Sequence, residues 1–134
     1  MSWDISVQDL PPVATIEDIP DDFEPAPLGL RATLIDRILA ALPGADFSDP
    51  SWGIIEGEGW SIEVSTGAED VCQSIALHVR GGGAVIATVD AIIAQVGGRA
   101  LDCQTGAFYD PGAAKQSFAD WSAYRDQVLG RAED

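Results

Sequence analysis

The chain has 134 residues, of which 7 are Lys or Arg and 22 are Asp or Glu, a formal charge of −15. That length suits one domain and is short for two that each bury a sound core, while a hydrophobic content of 46% excludes a disordered acidic tail. The charge repels phosphate, which argues against nucleic acid or an anionic membrane as a partner and favours basic partners, cations or simple solubility.

Residues 2–8 alternate, with Trp3, Ile5 and Val7 on one side and Asp4, Ser6 and Gln8 on the other, as a half-buried strand does. Residues 9–29 break that pattern. Pro11, Pro12, Pro20, Pro25 and Pro27 exclude a regular helix or a central strand. Seven acids, from Asp4 to Glu24, precede the first base, Arg31. The segment reads as an acidic, proline-rich arm, longer than most connections. Val13, Ile16, Ile19 and Phe23 provide apolar residues with which it can lie on the body.

The spacing of Leu30, Leu34, Ile35, Ile38 and Leu42 predicts a helix over 28–42, stopped by Pro43-Gly44. Residues 45–52 read as a loop ending in Trp52. A hairpin follows, with a strand at 53–56, a turn through Gly57-Glu58-Gly59 and a strand at 60–66 that turns Trp60, Ile62 and Val64 inward. Residues 73–80 repeat the alternation, with Ile75, Leu77 and Val79 inward and Ala76, His78 and Arg80 outward. After Gly81-Gly82-Gly83, residues 84–96 form an apolar helix on Val85, Val89, Ile92, Ile93 and Val96. A strand at 99–103, a turn and a short return at 107–109 come next. A final amphipathic helix over 114–130 carries Phe118, Trp121, Tyr124, Val128 and Leu129.

This order predicts a single α+β domain over 1–134: a ferredoxin-like antiparallel sheet (βαββαβ) with its helices on one face, an inserted arm and an added C-terminal helix. In that arrangement the first and third core strands are central neighbours. The polar sides of the strands then gather on one open surface holding Asp4, Ser6, Glu63, His78, Arg80 and Asp102. That surface is the predicted binding site, with Trp52 as a loop aromatic able to anchor a partner. The competing readings are a solvated, salt-bridged face and a face covered by the C-terminal helix.

Catalytic signatures are missing. There is no Gly-x-Ser-x-Gly and no local Cys/His arrangement, and among 22 acids carboxylate pairs arise by chance. The run Arg80-Gly81-Gly82-Gly83 lacks the phosphate-loop lysine and reads as a turn that permits close packing. Asp18-Ile19-Pro20-Asp21-Asp22 lacks the glycine of a calcium loop. Cys72, His78 and Cys103 do not have zinc-site spacing. No catalytic residue, cofactor or metal ligand is predicted, and a non-enzymatic role is favoured. The two cysteines read as reduced, mostly buried thiols. The N-terminus lacks the features of a signal peptide, and no run approaches the roughly 20 apolar residues of a membrane span, so the expected location is cytoplasmic.

The stretches Gln8-Asp9-Leu10-Pro11-Pro12, Ile19-Pro20-Asp21-Asp22-Phe23, Phe47-Ser48-Asp49-Pro50-Ser51-Trp52-Gly53, Leu77-His78-Val79-Arg80-Gly81-Gly82 and Leu101-Asp102-Cys103-Gln104-Thr105-Gly106 carry a further signal. Over residues 1–110 the chain resembles a family of small acidic bacterial proteins of unassigned function. In size, acidity and α+β make-up it is also similar to immunity proteins, which neutralise secreted bacterial toxins by binding them. The resemblance implies a non-catalytic protein-binding module that captures a basic partner such as a toxin or nuclease, since an acidic surface speeds capture of basic proteins. The alternative is a small-molecule binder or enzyme using His78, Arg80 and Glu63. A homodimer formed through the open sheet face or an edge is a third expectation.

Overall fold

The alternating segments pair into one antiparallel sheet in the computed structural model, which describes residues 2–82 and 85–109. The helix predicted over 114–130 lies outside the described residues. In chain order the elements are β1 (Trp3–Gln8), a 3₁₀ turn (Ile16–Asp18), β2 (Gly29–Leu30), α1 (Arg31–Ala41), β3 (Trp52–Gly57), β4 (Trp60–Ser65), β5 (Val71–Cys72), β6 (Ser74–Gly81), α2 (Val85–Val96), β7 (Arg99–Asp102) and β8 (Ala107–Phe108).

The main sheet has six strands in the order β3-β4-β6-β1-β7-β8, and β2 and β5 form a separate two-stranded ladder. As expected, β1 runs beside β6 at the centre, with Asp4 opposite His78 and Ser6 opposite Ala76. Together with two helices among the described residues, this makes an α+β architecture. The sheet is wider than four strands because β3 and β8 each add an edge.

One face of the sheet is dry. Trp3, Ile5 and Val7 of β1, Ile62 and Val64 of β4, and Ile75, Leu77 and Val79 of β6 are buried against Leu34 and Ile38 of α1 and Val85, Val89 and Ile92 of α2. Each such side chain contributes about 1.5–3 kcal/mol on burial, so this face, not the surface charges, holds the fold together. The strand alternation thereby settles which polar residues share the other face.

Two boundaries and one burial differ from expectation. Helix α1 starts at Arg31, because Gly29 and Leu30 pair with Cys72 and Val71 instead of entering the helix. Leu30 is therefore 56% exposed and not part of the core. Trp52 is the first residue of β3, opposite Ser65, and not a loop residue. Cys103 is an exposed free thiol, whereas Cys72 is free and buried as predicted. At Gly81 the close-packing reading fits: its φ is +92°, and a Cβ there would lie 2.1 Å from the Gly59 carbonyl oxygen.

The arm lies down as its apolar residues suggest. Val13, Ile16, Ile19 and Phe23 are half-buried, while Glu17, Asp18, Asp21, Asp22 and Glu24 stay exposed. One side chain from the far end of the chain holds it. Arg99 Nη1 donates to the carbonyls of Pro11 at 2.8 Å and Val13 at 2.6 Å, and its guanidinium sits 3.5 Å above the Phe108 ring. Asp9 closes the base of the arm by accepting the Ala26 amide at 2.8 Å.

The loop before β3 is a tandem repeat, Asp46-Phe47-Ser48 and Asp49-Pro50-Ser51. In each half the aspartate Oδ1 accepts both the amide and the hydroxyl of the serine two residues on, at 2.9 and 2.6 Å and at 3.0 and 2.7 Å. The buried Thr66 hydroxyl donates to the Pro50 carbonyl, tying the loop to the end of β4. The Phe47 ring is seated over Gly53, where a Cβ would lie 2.3 Å from Cε1.

Candidate functional site

Six of the seven predicted site residues share the face turned away from the described helices. Asp4 and Ser6 come from β1, Trp52 from β3, Glu63 from β4, and His78 and Arg80 from β6. They form two closed groups. His78 Nδ1 lies 2.9 Å from Asp4 Oδ1, and because a carboxylate only accepts, the Nδ1 proton makes this bond. The same Asp4 oxygen accepts the Ser2 hydroxyl at 2.6 Å. Arg80 pairs with Glu63 one strand away. The Trp52 ring stacks on His78 with centroids 5.6 Å apart and planes 22° apart.

The sheet register explains how Trp52 gets there. A single row runs Trp52–Ser65–Ala76–Ser6–Leu101–Phe108 across the six strands. The small side chains of Ser65 and Ala76 leave room for the indole to lean toward His78. Ser6 accepts from Gln8 Nε2 at 3.1 Å and completes the middle of the row. Trp52 and its strand neighbour Ile54 remain 39% and 38% exposed at the sheet edge.

Asp102 does not belong to this face. It lies opposite Ile5, on the helix side, and is only 2% exposed. Its Oδ1 accepts the Gln104 amide at 2.9 Å and so caps the turn after β7, while Oδ2 is buried without a hydrogen-bond partner. Leu101 takes the outward position instead, opposite Ser6. The neighbouring Tyr109 is also inward, its hydroxyl donating to Asp90. Burial, that hydrogen bond and the charges of Asp90 and Asp102 push its phenol well above the ordinary range.

On the open face Arg80 and Glu63 neutralise one another, and Asp4 is engaged by His78. A cleft of about 340 Å³ at the β3–β4 turn includes Arg80, Trp60 and Glu56, and another of about 500 Å³ lies beside α1; His78 lines neither. Partial burial, with the Asp4 and Asp102 carboxylates behind it, pushes the Cys103 thiol up, which suppresses its thiolate. No group of three His, Cys, Asp or Glu side chains among the described residues is placed to hold a metal ion. No described helix is long and apolar enough to cross a membrane.

Two parts of this surface escaped the sequence reading. Arg99, in phase with Leu101, and Phe108 are brought together by the β7–β8 pairing. The Asp-x-Ser repeat was visible in the letters as a doubled three-residue motif. No protein-family model, curated protein or solved structure matches this chain.

Proposed function

We propose that this chain is a non-catalytic protein-binding module, of the immunity or inhibitor kind, that captures a basic protein such as a toxin or nuclease. One observation carries the reading: the acidity is left uncompensated on the surface. Seventeen of the described residues are acidic, and among the described residues only Asp4, Glu63 and Asp70 pair with a basic side chain. The arginines at 31, 80 and 99 are engaged within the chain. A basic surface would therefore meet many carboxylates that have no ion-pair partner among the described residues, which raises the rate of encounter more than the final affinity.

The fold and the resemblance fit this reading. Taken alone, β1, α1, β4, β6, α2 and β7 follow one another along the chain, and β4, β6, β1 and β7 are consecutive across the sheet. That order supports a ferredoxin-like core with an extra strand at each edge. The likeness to small acidic bacterial proteins and to immunity proteins points the same way.

The test is affinity capture on the immobilised full chain from lysate of its source cell, at about 0.05 M and about 0.5 M salt, where the screening length falls severalfold. A basic protein held at low salt and released at high salt is the expected result. Replacing Glu17, Asp18, Asp21, Asp22 and Glu24 by their amides should slow its association about tenfold. Failure to capture any salt-sensitive basic protein would reject the reading.

A further inference from the structure

We infer that the cleft beside α1 is a peptide-docking site, and that its occupant is a basic segment of a partner protein carrying one large apolar side chain. This deepens the proposed function and rests on it. The cleft measures about 500 Å³, within the range of sites that take small ligands and side chains. Its apolar lining comes from Leu30, Ile35, Phe47 and Pro50. Ile35 is buried and forms the floor; Leu30 stands exposed as one wall. The β2–β5 ladder sets Val71 opposite Leu30, and Val71 is itself 40% exposed, so the apolar strip continues beyond the cleft. Two of the four large exposed apolar residues among the described residues thus meet at one place. The other two, Trp52 and Ile54, lie on β3.

Charge complementarity decides the occupant. Asp36 and Asp70 line the cleft, and Asp70 is almost fully exposed. Asp49 stands on the loop that supplies Pro50; the hydroxyl and amide of Ser51, with a smaller contribution from Arg31, hold its carboxyl below the usual range. Among the described residues Arg31 is the one cation in the lining. It donates to the Gly67 carbonyl at 2.9 Å and lies 3.9 Å from Asp70, so it is already engaged. An acidic or neutral segment would leave Asp36 unanswered and Asp70 only loosely paired with Arg31, whereas flanking arginines would pair with these two carboxylates while an aromatic or aliphatic side chain fills the apolar floor. The walls are preformed. The doubled Asp-x-Ser turn holds Phe47 and Pro50 by its own hydrogen bonds, so little ordering entropy is spent on binding.

The probe is a synthetic peptide with one Phe between two pairs of Arg and otherwise Gly and Ser, titrated into the isotopically labelled full chain at about 0.15 M salt and followed by amide shifts. Shifts are expected at Leu30, Ala32, Asp36, Ser48 and Val71. The same peptide with Phe replaced by Ser, and the same peptide with Arg replaced by Glu, should each bind at least about tenfold more weakly, a difference of about 1.4 kcal/mol. Leu30→Ser and Asp36→Lys change exposed residues, leave the core intact, and should each weaken binding by about fivefold or more. The assignment is overturned by shifts centred on Trp52 and His78, by equal binding of the Phe-less peptide, or by no shifts up to about 2 mM peptide. The two readings fail separately. If a basic protein is captured but Leu30→Ser and Asp36→Lys capture it equally well, the cleft is wrong and the module reading stands. If the peptide docks in the cleft and no basic protein is captured, the reverse holds.

Discussion

Residues 9–27 and residues 46–51 both carry aspartate and proline and both lie outside the named strands, but they are held in different ways. The arm is held from outside, by Arg99 reaching back more than eighty positions along the chain to two carbonyls. The loop is shaped from inside, each aspartate bonded to a serine two residues away, and is moored by the Asp46–Ile54 backbone bridge and the Thr66 hydroxyl. The arm turns its carboxylates to solvent; the loop uses its carboxylates to shape itself. Acidity in this protein thus does two jobs, presenting charge along the arm and shaping the chain in the loop.

The largest expected effect that would break this contrast comes from Arg99→Ala. It removes two charge-assisted hydrogen bonds and the contact with Phe108, about 2–3 kcal/mol together. Chemical denaturation should show that loss, and limited proteolysis should open cleavage within 9–27 but not within 46–51. An arm that stays resistant would mean that its apolar residues, not Arg99, hold it. Thr66→Val comes next. It deletes the buried hydroxyl that bonds Pro50, at a cost of about 1–1.5 kcal/mol, and amide exchange should quicken at Ser48 and Ser51 while the arm is unchanged.

A smaller effect lies in pH. The hydroxyl and amide of Ser48 hold the Asp46 carboxyl below the usual range, and those of Ser51 do the same for Asp49. A carboxyl lowered in the folded state contributes stability that is fully present above its unfolded value of about 3.9 and is lost as pH falls through the folded value. The double variant Ser48→Ala, Ser51→Ala should therefore be less stable than the parent at neutral pH, and the difference should shrink as pH falls through the folded values of the two carboxyls. In that variant the carbon-detected titrations of Asp46 and Asp49 should move upward, and a titration unchanged by the variant would reject the turn geometry. The least effect is expected from Asp9→Asn, which keeps an acceptor for the Ala26 amide and should change stability by about 0.5 kcal/mol or less.

The same contrast separates what was legible in the sequence from what was not. Long alternating runs name their faces, so Trp3, Ile5 and Val7 and the polar set Asp4, Ser6, Glu63, His78 and Arg80 could be placed before any pairing was known. In β7 each face holds only two residues, and hydrophobicity is a weak guide there. The polar Asp102 went inward because its carboxylate caps the following turn, and the apolar Leu101 went outward to the row that holds Phe108. Leu30 kept helical spacing but was drawn into the ladder with Val71, a partner forty-one positions away. The ion pairs of the open face needed the strand order, and the cleft beside α1 needed the loop, the helix and the ladder together, which no window along the chain contains.

One missing atom reaches further than its position suggests. Gly53 is buried in β3 and lines neither the described open-face pairs nor the cleft, yet the Phe47 ring rests where its side chain would be. A single methyl group at position 53 would collide with that ring, so Phe47, which lines the cleft, would have to shift. The shape of the cleft is therefore set in part from behind, by a residue that does not line it.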